Sequence, residues 1–76
     1  MIKNIEEAEK FKRSFEKLDK SYRLRVEKLI RKLIENPEVG KPMMHTRKGT
    51  REVYMQPFRL SYAYIKEEEK LFLLEI

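Results

Sequence analysis

Apolar residues recur along this chain in two rhythms, and the change from one to the other falls near Pro42. Before it, Ile5, Ala8, Phe11, Phe15 and Leu18 return at three- and four-residue steps, the spacing that lines one face of a helix. Lys10, Lys12, Arg13, Glu16 and Lys17 occupy the other faces. Asn4 followed by Glu7 has the spacing of a capping box, with asparagine in the capping place. A first helix is therefore predicted over residues 4–18. Asp19-Lys20-Ser21 makes a short break, in which Asp19 or Ser21 caps a second helix. Tyr22, Val26, Leu29, Ile30, Leu33 and Ile34 form a broader apolar stripe. Asn36-Pro37 stops it, because the residue before proline is pushed out of the helical region. The second helix is predicted over residues 21–36, folded back on the first as an αα-hairpin.

After Pro42 the pattern alternates. Phe58, Leu60, Tyr62 and Tyr64 share one face of a strand, and Arg59, Ser61 and Ala63 share the other. Val53 and Met55 join the apolar face beside Arg51. Pro57 cannot donate to a ladder, so Gln56-Pro57 reads as the connection of an antiparallel hairpin. Gln-Pro is not a favoured two-residue turn, and the turn type stays open. Strands are predicted over 51–55, 58–65 and 71–75, in meander order. Val39-Gly40-Lys41-Pro42 reads as a turn, Met43-Met44-His45-Thr46 as a short strand, and Arg47-Lys48-Gly49 as a basic turn. Leu71-Phe72-Leu73-Leu74 is unbroken rather than alternating, which implies burial on both faces. The whole is one α+β domain over residues 1–76: an N-terminal αα-hairpin packed on a three- to four-stranded antiparallel sheet.

Composition narrows the options. A chain of 76 residues buries only about 60% of its unfolded surface, so its core is thin. With no cysteine and one histidine, neither disulfides nor a cysteine zinc site can stabilise it, and no metal site is expected. No apolar run approaches the ~20 residues that span a bilayer, and the charged start lacks a signal-peptide pattern. No membrane association is expected, and a cytoplasmic location is the default. The net charge of +5 is unevenly spread. In residues 37–64, Lys41, Arg47, Lys48, Arg51 and Arg59 face only Glu38 and Glu52. Such a balance favours a polyanion or an acidic partner, and also serves solubility. Arg25, Lys28 and Lys32 form a further cationic line on the second helix, extended by Arg31, which reads as a solvated face or as an RNA contact.

The core hairpin carries a family resemblance. Phe58-Arg59-Leu60-Ser61-Tyr62 resembles the central strand of RelE/ParE-type toxins: an aromatic residue, arginine, an aliphatic residue, any residue, tyrosine. Leu33-Ile34-Glu35-Asn36-Pro37-Glu38-Val39-Gly40-Lys41-Pro42 is similar to the end of the second helix of those toxins and the turn after it. Arg51-Glu52-Val53-Tyr54 falls where the strand before the arginine is expected. The resemblance covers residues 11–76. It implies the toxin of a type II toxin–antitoxin pair that cleaves messenger RNA on the ribosome without a cofactor. Its partners would be a cognate antitoxin, the ribosome and mRNA. The thin core and the apolar last strand add weak homodimerisation when the antitoxin is absent. There are departures. Glu52 and Tyr54 stand where lysines are usual, and residues 1–3 offer only a stub in place of a first strand. The further arginine, histidine or tyrosine that many members carry after the last strand has no counterpart up to Ile76. These departures favour the alternative of a non-catalytic binding module of the same fold, as in ParE-like proteins that act on DNA gyrase.

Metal-free RNA cleavage needs a base for the 2′-hydroxyl, cationic donors for the charge on phosphorus, and an acid for the leaving oxygen. Arg59, mid-strand, suits the second role, since its guanidinium stays charged and presents a planar fork. The resemblance gives the same residue. Otherwise Arg59 pairs with Glu52 across the hairpin. Arg51 is a second catalytic candidate, and His45, with an unperturbed pKa near neutrality, is a proton shuttle or a surface side chain. Lys41, Arg47 and Lys48 are candidate RNA-binding cations, although basic residues on edge strands also block aggregation. Tyr54 points away from Val53 and is the candidate for stacking on a base, whereas Tyr62 belongs to the core.

Overall fold

The computed structural model of the protein describes residues 1–43 and 49–76. Its elements run β1 (Asn4–Glu7), α1 (Glu9–Lys17), α2 (Lys20–Glu35), β2 (Lys41–Pro42), β3 (Thr50–Met55), β4 (Phe58–Ile65) and β5 (Lys70–Glu75), with one 3₁₀ turn at Lys66–Glu68. The strands form one sheet in the order β1-β5-β4-β3-β2. Every pairing is antiparallel except β1 with β5, which is parallel. The α+β layout of two helices on a sheet is as expected, and the sheet gains strands at both edges.

The N-terminal edge corrects the sequence reading. Residues 4–7 are strand rather than helix, with Asn4 opposite Lys70 and Glu7 opposite Leu73. The capping box does not form. Ala8, in extended conformation, precedes α1 and offers no side-chain cap. Tertiary pairing overrides the local spacing, because the β5 edge needs a hydrogen-bonding partner. The amide of Ala8 donates to the Leu73 carbonyl at 2.8 Å, and Lys70 Nζ meets Glu6 Oε1 at 2.9 Å. Ile5 accordingly leaves the core stripe and is 41% exposed.

At the other edge, Lys41–Pro42 is a strand rather than a turn, with Lys41 opposite Glu52. The short strand expected at residues 43–46 lies, from Met44 on, outside the described residues, as do Arg47 and Lys48 of the basic turn. Asp19, not Ser21, caps α2: its carboxylate accepts from the Tyr22 amide at 3.2 Å and from the Ser21 hydroxyl at 2.9 Å. The helix stops at Asn36, ahead of Pro37, as the proline rule requires.

The hairpin forms where alternation placed it. Met55 faces Phe58 across the Gln56-Pro57 connection, whose peptide is cis. Phe11, Val26 and Leu33 from the helices meet Leu60, Tyr62, Leu71 and Leu73 from β4 and β5 in the buried core. The apolar run of β5 is buried on one face only. Leu71 and Leu73 are fully covered, while Phe72 and Leu74 are half-buried. A register shift between Ser61 and Tyr62 in the β4–β5 ladder interrupts strict alternation there. The result is a sheet with one face packed by helices and one face open.

Candidate functional site

Period-two alternation puts Arg59 on the open face. It stands directly opposite Tyr54, and its guanidinium carbon lies 5.7 Å from the Tyr54 ring centroid. That is cation–π distance. Tyr54 is 61% exposed, so this pairing holds an aromatic ring and a fixed cation together in solvent. The alternative pairing of Arg59 with Glu52 does not form, and no ion pair to Arg59 occurs among the described residues. Glu52 lies one step along the same face, opposite Ser61 on one side and Lys41 on the other.

Two shallow hollows flank Arg59. One, of about 450 Å³, is lined by Val39, Lys41, Glu52, Val53, Tyr54 and Arg59. The other, of about 520 Å³, is lined by Met43, Glu52, Pro57, Phe58, Arg59, Ser61, Glu75 and Ile76. Both sizes are in the range of ligand clefts. Arg59 and Glu52 line both, and so form the ridge between them.

Arg51 sits elsewhere. It is opposite Tyr62, and therefore on the helix-packed face, away from Arg59. Its Nη1 donates to the carbonyls of Glu38 at 2.9 Å and Gly40 at 2.7 Å. The Tyr62 hydroxyl holds the same loop: it donates to the Pro37 carbonyl at 2.7 Å and accepts from the Gly40 amide at 3.0 Å. Burial pushes the Tyr62 hydroxyl above its ordinary pKa, against the opposing effects of the Gly40 amide and the Arg51 charge, so it stays a donor. Gly40 is required for the close approach, since a Cβ there would meet the Tyr62 oxygen at 2.5 Å. Arg51, Tyr62 and Gly40 thus fix residues 37–40, which carry Val39 and Lys41 to the rim of the Arg59 face.

Of the residues singled out in the sequence, the structure brings together Arg59, Tyr54 and Lys41, and separates Arg51 from them. His45, Arg47 and Lys48 lie outside the described residues. Glu52, Val39 and the clamp formed by Tyr62 were not singled out as functional. Glu52 is legible as the alternating neighbour of Tyr54. The clamp joins Pro37 and Gly40 to residues more than ten positions away and leaves no local signal. Among the described residues no three His, Asp or Glu side chains gather in a metal-holding group, and no helix is long and apolar enough to cross a membrane.

Two helices packed on one face of a five-stranded sheet make a known architecture. The chain has the fold of the RelE toxins. It superposes on the toxin–antitoxin complex RelBE2 from Mycobacterium tuberculosis with a TM-score of 0.86 at 22% identity, covering 99% of this chain and 95% of that one. Against the intact E. coli RelBE toxin–antitoxin complex the TM-score is 0.80 at 18% identity, over 93% of this chain and 89% of that one. The isolated E. coli RelE toxin gives 0.80 at 18%, over 93% of this chain and 78% of that one. No protein-family model and no curated protein matches the sequence.

Proposed function

We propose that this chain is the toxin of a type II toxin–antitoxin pair and that its open sheet face cleaves messenger RNA on the ribosome. The observation that carries the reading is the Arg59–Tyr54 pair, exposed and rigidly mounted on adjacent strands of a RelE fold. Tyr54 offers a flat face on which an unstacked base rests. Arg59 offers its fork to the phosphate beside that base, where negative charge develops during attack by the 2′-hydroxyl. Lys41 holds a neighbouring phosphate from the rim. Glu52, lining both hollows with Arg59, takes the 2′-hydroxyl proton as the 2′-oxygen bonds to phosphorus, and the 5′-oxygen whose bond to phosphorus breaks takes a proton from solvent water. Strand mounting suits this role, because a charge stabiliser works only when it is held in place beforehand. The partner is an antitoxin, as in the RelBE complexes of the same fold. The protein works in the cytoplasm, where ribosomes and mRNA are.

A second reading is a binding module that does not cleave, and one observation favours it: Glu52 puts a negative charge on the face an RNA would touch. One experiment separates the two. Expression is induced in growing cells and ribosome-bound mRNA is mapped for new 5′ ends. Cuts that appear with the wild-type chain and vanish with Arg59→Ala support cleavage. Growth arrest without cuts supports the binding module.

A further inference from the structure

The two edges of the sheet end differently. On one side, β2 is two residues long and contains Pro42, which has no amide to donate, so that edge is blunted. On the other side, β1 is four residues long, has no proline and is exposed throughout. The amides of Asn4 and Ala8 donate inward, to the carbonyls of Glu69 and Leu73 at 3.4 and 2.8 Å. Backbone groups alternate in direction along a strand, so Ile5 and Glu7 turn theirs outward, where the sheet supplies no further strand. Ile5 stands beside Leu71 on the helix-packed side of the sheet, yet its side chain is exposed. Lys3 and Glu7, two positions to either side, share that face. Among the described residues Glu7 has no cation within ion-pair distance, whereas Lys3 and the N-terminal ammonium share the one carboxylate of Glu69, at 3.3 and 3.6 Å.

We propose that β1 pairs antiparallel with β1 of a second copy of this chain, about a two-fold axis at the Ile5 pair, so that two sheets join into one. The edge is self-complementary in that register. Ile5 faces its own counterpart, exchanges backbone hydrogen bonds with it, and covers its exposed side chain. Lys3 faces Glu7 of the second copy, twice by symmetry, and Asn4 faces Glu6. The ladder ends at Lys3, whose amide is already held by the Glu69 carbonyl at 2.7 Å, so the contact is short and the dimer weak. Charge selects this arrangement over its neighbours. A parallel pairing sets Glu6 against Glu6 and Glu7 against Glu7, and sliding the antiparallel register by two residues toward α1 again sets Glu6 against Glu6. Like charges directly opposite one another are destabilising. The two-fold contact uses up the free edge of both copies, so the assembly closes at a dimer instead of growing as a fibre. β5 and β4 separate β1 from β3, so Arg59 and Tyr54 stay uncovered in both copies. The pairing does not rest on the toxin reading.

The chain has no cysteine, so single cysteines report the register. Directly opposed, hydrogen-bonded residues of antiparallel strands have Cα atoms about 5.5 Å apart, within disulfide reach. Ile5→Cys should therefore oxidise to a covalent dimer about tenfold faster than Glu7→Cys, whose two copies stand about 13 Å apart along the strands. Lys3→Cys mixed with Glu7→Cys should cross-link one to the other. Sedimentation equilibrium of the wild-type chain from about 20 µM to about 1 mM should show reversible dimerisation. Charge swaps test the complementarity. Glu7→Lys and Lys3→Glu should each weaken self-association about tenfold, because each sets like charges opposite at both symmetric positions. Mixing the two variants restores opposite charges at both positions and should return association to the wild-type level. Amide spectra of each variant verify its fold. Three results would each overturn the proposal. One is a wild-type chain that stays monomeric throughout that range, its edge free or taken by a strand of a different protein. The others are equal oxidation rates for Ile5→Cys and Glu7→Cys, and a mixture that associates no better than either charge variant alone.

Discussion

Arg59 is the residue on which the functional reading turns, and its surroundings make it separable from the fold. It is exposed and touches the Tyr54 ring, a contact worth about 0.5–1 kcal/mol at such a site. Arg59→Ala should therefore barely move the melting temperature while lowering mRNA cleavage by roughly 10² to 10³, the usual cost of removing one preorganised charge stabiliser. Arg59→Lys keeps the charge but loses the fork, and should restore only part of the rate. Melting and cleavage measured on one purified sample decide the matter. A lower melting temperature with unchanged cleavage per folded molecule would assign Arg59 to structure. Tyr62 should behave in the opposite way. Tyr62→Phe strands the buried Gly40 amide and removes the donor to Pro37, at a cost of about 1–3 kcal/mol. Urea unfolding reads that cost, and Arg59 and Tyr54 are untouched.

Among the elements, the segment between α2 and β2 decides how well the open face is formed. Arg51 and Tyr62 hold it from the packed side, so Arg51→Ala should speed hydrogen exchange at residues 38–41 and leave the β4 and β5 amides protected. Uniform loss of protection would mean that Arg51 supports the whole sheet instead. This clamp also shows where sequence patterning stops. Alternation located β3 and β4 and put Arg59 and Tyr54 on one face, because period two depends only on nearest neighbours along the chain. α2 was equally legible, with Asp19 and Pro37 marking its ends. Residues 4–7 were not. They fit a helical stripe locally and became strand only because β5, more than sixty residues away, offers them a ladder. Lys41–Pro42 gave no signal either, since a two-residue strand has no period. β5 misled for a third reason: it lies between β1 and β4 and its ladder with β4 slips by a residue, so its apolar run was not evidence of two covered faces.

For the whole molecule, the ionisable groups that hold the sheet together predict an asymmetric response to pH. Lys70, whose side chain is only 18% exposed, lies 2.9 Å from Glu6 and 3.7 Å from Glu68 and so joins β1 to β5. The hydrogen bond from Lys70 to Glu6 outweighs desolvation and holds its ammonium above the ordinary value of 10.5. Burial holds the Tyr62 hydroxyl above its ordinary 10.0. Both groups bind their proton more tightly folded than unfolded. Their contribution is complete below those ordinary values and is lost as pH rises through the higher folded ones. On the acid side, Glu69 is held below its ordinary 4.5, chiefly by a hydrogen bond from Lys3, with the Lys3 and N-terminal charges adding to it. Its contribution is present above 4.5 and lost as pH falls through the lower folded value. Glu69 is more than a third exposed, so water screens that pair and the acid effect should be small. Melting temperature should therefore hold through neutrality and begin to fall only as pH rises past the ordinary values of 10.0 for Tyr62 and 10.5 for Lys70. Glu6→Gln should flatten the part of the alkaline fall due to Lys70, and Tyr62→Phe the rest. An alkaline fall that persists unchanged in the double variant would show that other groups carry it, and that the Lys70–Glu6 ion pair does not hold the sheet edge in place.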